Sequence, residues 1–284
     1  MRRLILTLCI LLNLKPGHSQ TRSVLITGLD HIPVVVHNPD NVAAFYKLIG
    51  FSIKPGRRHP NSIRNQHIKF QDGTELELIT ADTAKDELST EYCNMLKTAE
   101  GPAFIGLFSK NIPAVEKQLA TAYKHLEADN NAVSFALSSS LHPLFIGRRN
   151  LSPTDKPEHF AHPNTAWGLI AVWLAPTHTD DYKNVLQTLG VPLQQKQVNF
   201  HGVNVNAKIG LLSEGTIYIL PPSYQVIKGR PIIGVTLKVT DLSTVQSCLQ
   251  KSSIKAIKSG NSIFLPPTIT HGFWLEFTEV KKIK

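Results

Sequence analysis

Residues 72–78 read DGTELEL, and residues 214–220 read EGTIYIL. Each is an acidic residue and a glycine followed by alternating apolar positions, the pattern of the second strand of a hairpin. A third version, HGFWLEF, runs from His271 to Phe277. In the first copy the alternation puts Leu76 and Leu78 on one face and Glu75, Glu77 and Ile79 on the other. A strand that buries two leucines needs a reason to carry two carboxylates on its reverse, because an unpaired buried charge is costly.

The sequence ahead of each hairpin repeats as well. LDHIPVVV (Leu29–Val36) reads as a strand. NPDNVAAFYKLIGF follows as a helix, with Asp40 as N-cap, Val42, Phe45, Tyr46 and Ile49 on one face, and Gly50 as a left-handed terminator. FSIKPG and NQHIKFQ supply two more strands before the hairpin closes. The order is β-α-β-β-β. It recurs from GLIAVWLAP (Gly168–Pro176) through the helix DDYKNVLQTLGV, and again from IIGVTLKV through DLSTVQSCLQ. A weaker copy starts at AFIGLFSK. Four units are therefore expected, beginning near residues 29, 103, 168 and 232. The polar, proline-bearing stretch 148–166 reads as a linker. The expected organisation is a first domain over 24–150, a linker over 151–165 and a second, degenerate domain over 166–280.

Residues 1–19 differ from the rest. Arg2 and Arg3 precede the apolar run Leu4–Leu14, and the small residues Gly17 and Ser19 follow. This is the pattern of a cleaved export signal, and the run is too short to span a bilayer comfortably. The expected location is the periplasm or the extracellular space, with no stable membrane insertion after cleavage. The chain is basic, with 30 Lys and Arg against 21 Asp and Glu. The cations are scattered, and the densest run, Lys281–Lys284, reads as a solvated end. No nucleic-acid partner is expected; the charge favours an anionic small molecule. Outside the export segment only Cys93 and Cys248 remain. Export would allow a disulfide between them, and buried free thiols fit equally well.

The opening LDHIPVVVHNPDNVAAFYKLIGFSIKPGRRHPNSIRNQHIKFQDGTELELI resembles the glyoxalase-like group of the vicinal oxygen chelate superfamily. The residues that carry the resemblance are Asp30-His31, Gly50-Phe51, His59-Pro60, Asn65 and Leu76-Glu77-Leu78. HPNTAWGLIAVWL (His162–Leu174) resembles the group's mid-chain motif, with Thr165 where a glycine is usual. The resemblance implies an α+β fold in which four βαβββ units form two paired, cup-shaped sheets. It also implies a metal site at which strands 1 and 4 of a unit converge. His31 and Glu77 are then the ligands of a divalent ion (Zn, Fe, Mn or Ni), with Glu276 able to join them if unit 1 pairs with unit 4. If unit 1 pairs with unit 2, only His31 and Glu77 are offered. The second unit presents Phe104 and Ile146 at the equivalent places, the third Ala171 and Ile219, and the fourth Gly234 beside Glu276. His59, His67, His142 and His162 are further candidates to complete a site.

The site roles follow from this reading. Glu77 and His59 are the catalytic candidates, His59 as an acid or base at the cup edge. Arg64, Asn65 and Arg148 are the candidates for holding substrate oxygens. The expected activity is a metal-dependent lyase, isomerase or dioxygenase acting on a small oxygenated molecule. A metal-free binding protein of the same fold is the alternative, and a homo-oligomer is left open.

Overall fold

The computed structural model describes residues 23–149 and 152–280. The expected export signal and the Lys281–Lys284 tail lie outside them. The first unit consists of β2 (His31–Val35), α1 (Pro39–Leu48), β3 (Lys54–Arg58), β4 (Ile63–Lys69) and β5 (Glu75–Ala81), preceded by the short strand β1 (Gly28–Leu29). Helix α1 forms because Asn38 caps it, accepting from the Asp40 and Asn41 N–H groups, and because Pro39 presets the first turn. The cap is thus two residues earlier than the expected Asp40. Gly50, with φ of +89°, ends the helix as expected. Val42, Tyr46 and Ile49 are buried in the core.

Next come α2 (Glu87–Leu96), the short strand β6 (Gly101–Pro102), and the second unit: β7 (Ile105–Phe108), α3 (Ile112–Ala120), β8 (Leu126–Ala128), β9 (Ala132–Phe135) and β10 (Leu144–Gly147). The third unit is β11 (Ala166–Leu174), α4 (Thr179–Thr188), β12 (Leu193–Phe200), β13 (Val203–Leu212) and β14 (Gly215–Ile219). The fourth is β15 (Ile232–Val239), α5 (Leu242–Lys251), β16 (Ile257–Ser259), β17 (Ser262–Leu265) and β18 (Trp274–Glu279). In each unit the first strand pairs in parallel with the last, as in β2 with β5 and β15 with β18. The fold is the expected α+β arrangement of curled sheets.

The pairing of units is settled by their first strands. β1 and β2 run antiparallel to β7 and β6, and Asp30 N–H donates to the Gly106 carbonyl at 2.8 Å. Unit 1 therefore pairs with unit 2. β11 runs antiparallel to β15, so units 3 and 4 share one eight-stranded sheet. The outer hairpin of that sheet curls across it: Ser259 Oγ donates to Asn199 Oδ1 at 3.0 Å, and His201 stacks on Trp274 at 4.1 Å.

The two halves share one continuous core. Phe51 of the first stacks on Phe277 of the second, and Tyr46 lies beside Thr270. Arg230, 9% exposed, donates to the carbonyls of Met95 in the last turn of α2, Ala99 after it and Gly101 in β6. The segment read as a linker is anchored too. His162 accepts from the Ser52 N–H at 3.0 Å and donates Nε2–H to the Lys69 carbonyl at 2.9 Å, between Phe51 and Phe70. Asn164, fully buried, donates to the Ile49 carbonyl. Thr165, where a glycine is usual, has φ of +62°, the left-handed region that favours glycine. Its hydroxyl bonds the Asp241 backbone from that position. Cys93 and Cys248 are free thiols. Among the described residues no helix is long and apolar enough to cross a membrane.

Burial lowers the His162 pKa from 6.5 to about 4, against the upward pull of its bond to Lys69. The ring is neutral at pH 7 in both the folded and unfolded chain. Below pH 6.5 the unfolded chain takes up a proton that the folded one refuses until about pH 4, so stability falls across that window. The expected loss is about 3 kcal/mol in full. Urea unfolding at neutral pH and near pH 4.5 should show a smaller acid loss in His162→Gln than in the wild type.

Candidate functional site

The register of the first sheet builds the site. β5 sits between β2 and β4, with Leu76 and Leu78 fully buried in the core. Its other face looks into the cup. There Glu75 lies opposite Lys69, Glu77 opposite His67 and Ile79 opposite Asn65 on β4. On β2, His31 is directly across from Glu75 and Pro33 from Glu77. His31 therefore meets Glu77 on the diagonal, and its Nε2 stands 3.9 Å from Glu77 Oε2. The opposite ring nitrogen, Nδ1, bonds Asp30 Oδ2 at 2.9 Å. Asn65 donates to the other oxygen of Glu77 at 2.7 Å. The edge of Phe145 closes on the imidazole at 5.1 Å between ring centroids.

A second layer of charge surrounds this pair. Glu75, 7% exposed, touches His67 Nδ1 at 3.3 Å and Lys69 Nζ at 3.5 Å. The Asp155 carboxylate comes in from the linker and joins Lys54 at 2.6 Å to Lys69 at 2.8 Å. Burial alone would lower the His31 pKa. The hydrogen bond and charge of Asp30, with Glu77 and Glu75 behind it, outweigh burial and raise it to about 9. Burial pushes the carboxyls of Glu75 and Asp155 up. For Glu75 the bond to His67 and the charges of His31, His67 and Lys69 prevail, and its pKa falls. For Asp155 the bonds to both lysines prevail and hold it at about 2. The result is a carboxylate–imidazolium–carboxylate row, Asp30–His31–Glu77, with its ring held in one orientation.

Helix α2 covers the other end of this cup, an element that the repeat does not contain. Tyr92 packs with Val35, Ile63, Ile79 and Phe104. The helix starts in a capping box of Asp86 with Ser89 and is pinned to unit 2 by Glu91, 2.9 Å from His142 Nε2. Its signal was present in the sequence: Asp86 and Ser89 at box spacing, then Leu88, Tyr92, Met95 and Leu96 on one helical face. Because it falls between repeats, the repeat pattern passes it over.

The remaining sequence candidates are dispersed. His59 lies half-buried at the β3–β4 turn. Burial and Arg57 lower its pKa, and the Glu77 charge pulls the other way. Arg64 sits on the opposite face of β4 from Asn65, bonded to Asp82 at 3.0 Å and 3.7 Å from Asp40 of α1. Arg148 is exposed outside the cup. Ile146 faces the core, and Phe145 is the unit 2 residue that meets His31. Glu276 does not join His31 and Glu77, because unit 4 pairs with unit 3. It sits in the second cup, accepting from Thr236 at 2.6 Å and Ser262 at 2.6 Å. Among the described residues no three His, Cys, Asp or Glu side chains converge as a metal-holding group. The first cup offers two donors, His31 Nε2 and Glu77, with Asp30 as the outer partner that orients the imidazole.

This fold and its His–Glu pair define the class: a vicinal oxygen chelate protein built from paired βαβββ units. The model of the glyoxalase-like domain family matches residues 29–190, and the chain belongs to that family. Comparison with curated protein sequences gives no match. Among solved structures the chain is similar to a catechol 2,3-dioxygenase, at 13% identity and a TM-score of 0.63, covering 90% of this chain and 94% of that one. It is also similar to a mutant 4-hydroxymandelate synthase from Streptomyces coelicolor, at 10% identity and 0.61, over 91% and 94% of the two chains. A hypothetical protein from Staphylococcus aureus aligns over 90% of this chain and all of its own length, at 12% identity and 0.60. These likenesses concern the fold.

The Asp30 contact makes a direct prediction. Asp30→Asn should lower the NMR titration midpoint of the His31 ring by about one pH unit or more, since it removes the strongest charge that favours the imidazolium. An unchanged midpoint would mean that Glu77 and Glu75 suffice.

Proposed function

We propose that the first cup is a metal-assisted site for a small oxygenated molecule, and that the chain is an exported lyase, isomerase or dioxygenase. The observation that carries this reading is the aim of His31: Nδ1 tied to Asp30, Nε2 presented to Glu77. This is the carboxylate–histidine arrangement that surrounds bound metals. A gap of 3.9 Å between the two donor atoms leaves space for an ion that contacts both. A divalent ion there would polarise a ligand oxygen. The chain's own residues do the rest. Asp30 fixes the imidazole, Asn65 fixes the second oxygen of Glu77, and Phe145 walls the imidazole on the unit 2 side. His59, whose pKa lies below the ordinary histidine value, is the candidate proton acceptor at the entrance. The fold shared with a catechol dioxygenase and a hydroxymandelate synthase supports an enzyme of this general kind.

A second reading, a metal-free binding protein, is favoured by one observation: the unit 2 side chain that meets His31 is Phe145, which cannot ligate. Elemental mass spectrometry on the purified full chain separates the two. The metal-assisted reading expects about one equivalent of a transition metal in the wild type, lost in Glu77→Ala. Uptake should weaken as pH falls below about 9, because the proton on His31 competes for Nε2. Wild-type protein that carries no metal and takes up none would establish the binding reading instead.

A further inference from the structure

A second cavity lies outside the first cup. It is a cavity of about 780 Å³ over the concave face of the eight-stranded sheet. The alternation that sends Val172, Val235, Leu275 and Ile217 into the core sends Trp173, Thr236, Glu276 and Tyr218 into this cavity. The half of the chain whose strand positions look decayed, with Ala171, Ile219 and Gly234, therefore keeps a formed pocket. At its wall Trp173 is stacked on Tyr218 at 4.0 Å and tilted against Phe200 at 4.5 Å. Trp173 Nε1 donates to Thr236 Oγ1 at 2.8 Å, and Thr236 donates onward to Glu276.

Three cations and three carboxylates line the cavity, and two of each are paired with one another. Lys238 is paired with Asp72 at 2.8 Å and lies over the Trp167 ring, and Arg149 is paired with Glu214 at 2.7 Å. Lys196 is exposed on β12, where water screens it. Glu276 is different. It is 8% exposed, and its hydrogen-bond donors are the neutral hydroxyls of Thr236 and Ser262. A buried carboxylate with no opposing charge is expensive to keep ionised, and burial accordingly pushes its pKa above the ordinary value. Each carboxylate oxygen accepts one protein hydrogen bond and retains acceptor capacity.

We propose that the second cup is a ligand site for a small organic cation, an ammonium group on an apolar or aromatic body. The ammonium donates to Glu276 and the body lies along Tyr218 and the neighbouring aromatic wall. A cation supplies the charge that Glu276 lacks, and it gains from the π faces beside it. A neutral molecule of the same shape supplies neither. The site is separate from His31 and Glu77, so it stands whether or not the first cup binds metal.

The molecule carries its own reporter. All three tryptophans, Trp167, Trp173 and Trp274, lie on β11 and β18 of the second half, so intrinsic fluorescence reads this cup. The probes are phenethylammonium and its neutral isostere 2-phenylethanol, titrated into the full chain with a chelator present. The ammonium should change the fluorescence with a Kd below about 1 mM, and the alcohol should bind at least about tenfold more weakly. Glu276→Gln should remove that preference, while circular dichroism and the unfolding midpoint show that the variant is folded. Equal affinity for the two probes, no response to the ammonium, or an undiminished preference in the folded variant would each overturn the proposal. If the variant fails to fold, the wild-type comparison of the two probes decides alone.

Discussion

Everything about the first cup follows from a few backbone hydrogen bonds between first strands. The contact of Asp30 with Gly106, and the pairing of Val34 and Val35 with Pro102 and Gly101, place unit 2 beside unit 1. Had unit 1 paired with unit 4, Glu276 would have faced His31 and the site would hold one histidine and two carboxylates. Pairing with unit 2 brings Phe145 to that place instead. The difference between a three-donor site and a two-donor site wrapped in aromatic and ionic groups is thus decided by main-chain pairing, which carries no side-chain signature.

How much of this was legible depends on which part of the physics is local. The unit order, the helix α1 and its glycine terminator follow from period and capping chemistry, and the structure shows each of them. The meeting of His31 with Glu77 was legible through a resemblance: period 2 puts Glu77 on the face opposite the leucines, but only the parallel pairing of β2 with β5 brings His31 there. Arg64 was misjudged for the same reason in reverse. One residue from Asn65, it points to the other face and serves Asp82. Glu276 shares its hairpin motif with Glu77, yet a motif within one unit is silent about which unit lies opposite. His162 looked like a site residue because it sits in a polar motif beside Asn164. Their polarity satisfies buried backbone groups where the second half joins the first.

The two cups also show opposite ways of keeping charge in a protein interior. In the first, Lys54, Lys69, Glu75 and Asp155 are mutually paired, and each removes the penalty of the next. In the second, Glu276 is supported by neutral donors beside open space. A closed ionic network resists rearrangement because every member leaves a partner stranded. A carboxylate on a hydroxyl shelf has no such constraint, and can exchange solvent for another group without disturbing the sheet.

Arg230 carries a lesson about inheritance. Its guanidinium crosses from the second half to hold three carbonyls from the last turn of α2, the helix that roofs the first cup, to β6. A chain parted at the linker would leave those carbonyls and a buried cation each without a counterpart. Duplicated modules are often pictured as beads that genes can trade. Here the roof of one bead is fastened by the next, so recombination between the halves would be penalised from the first generation.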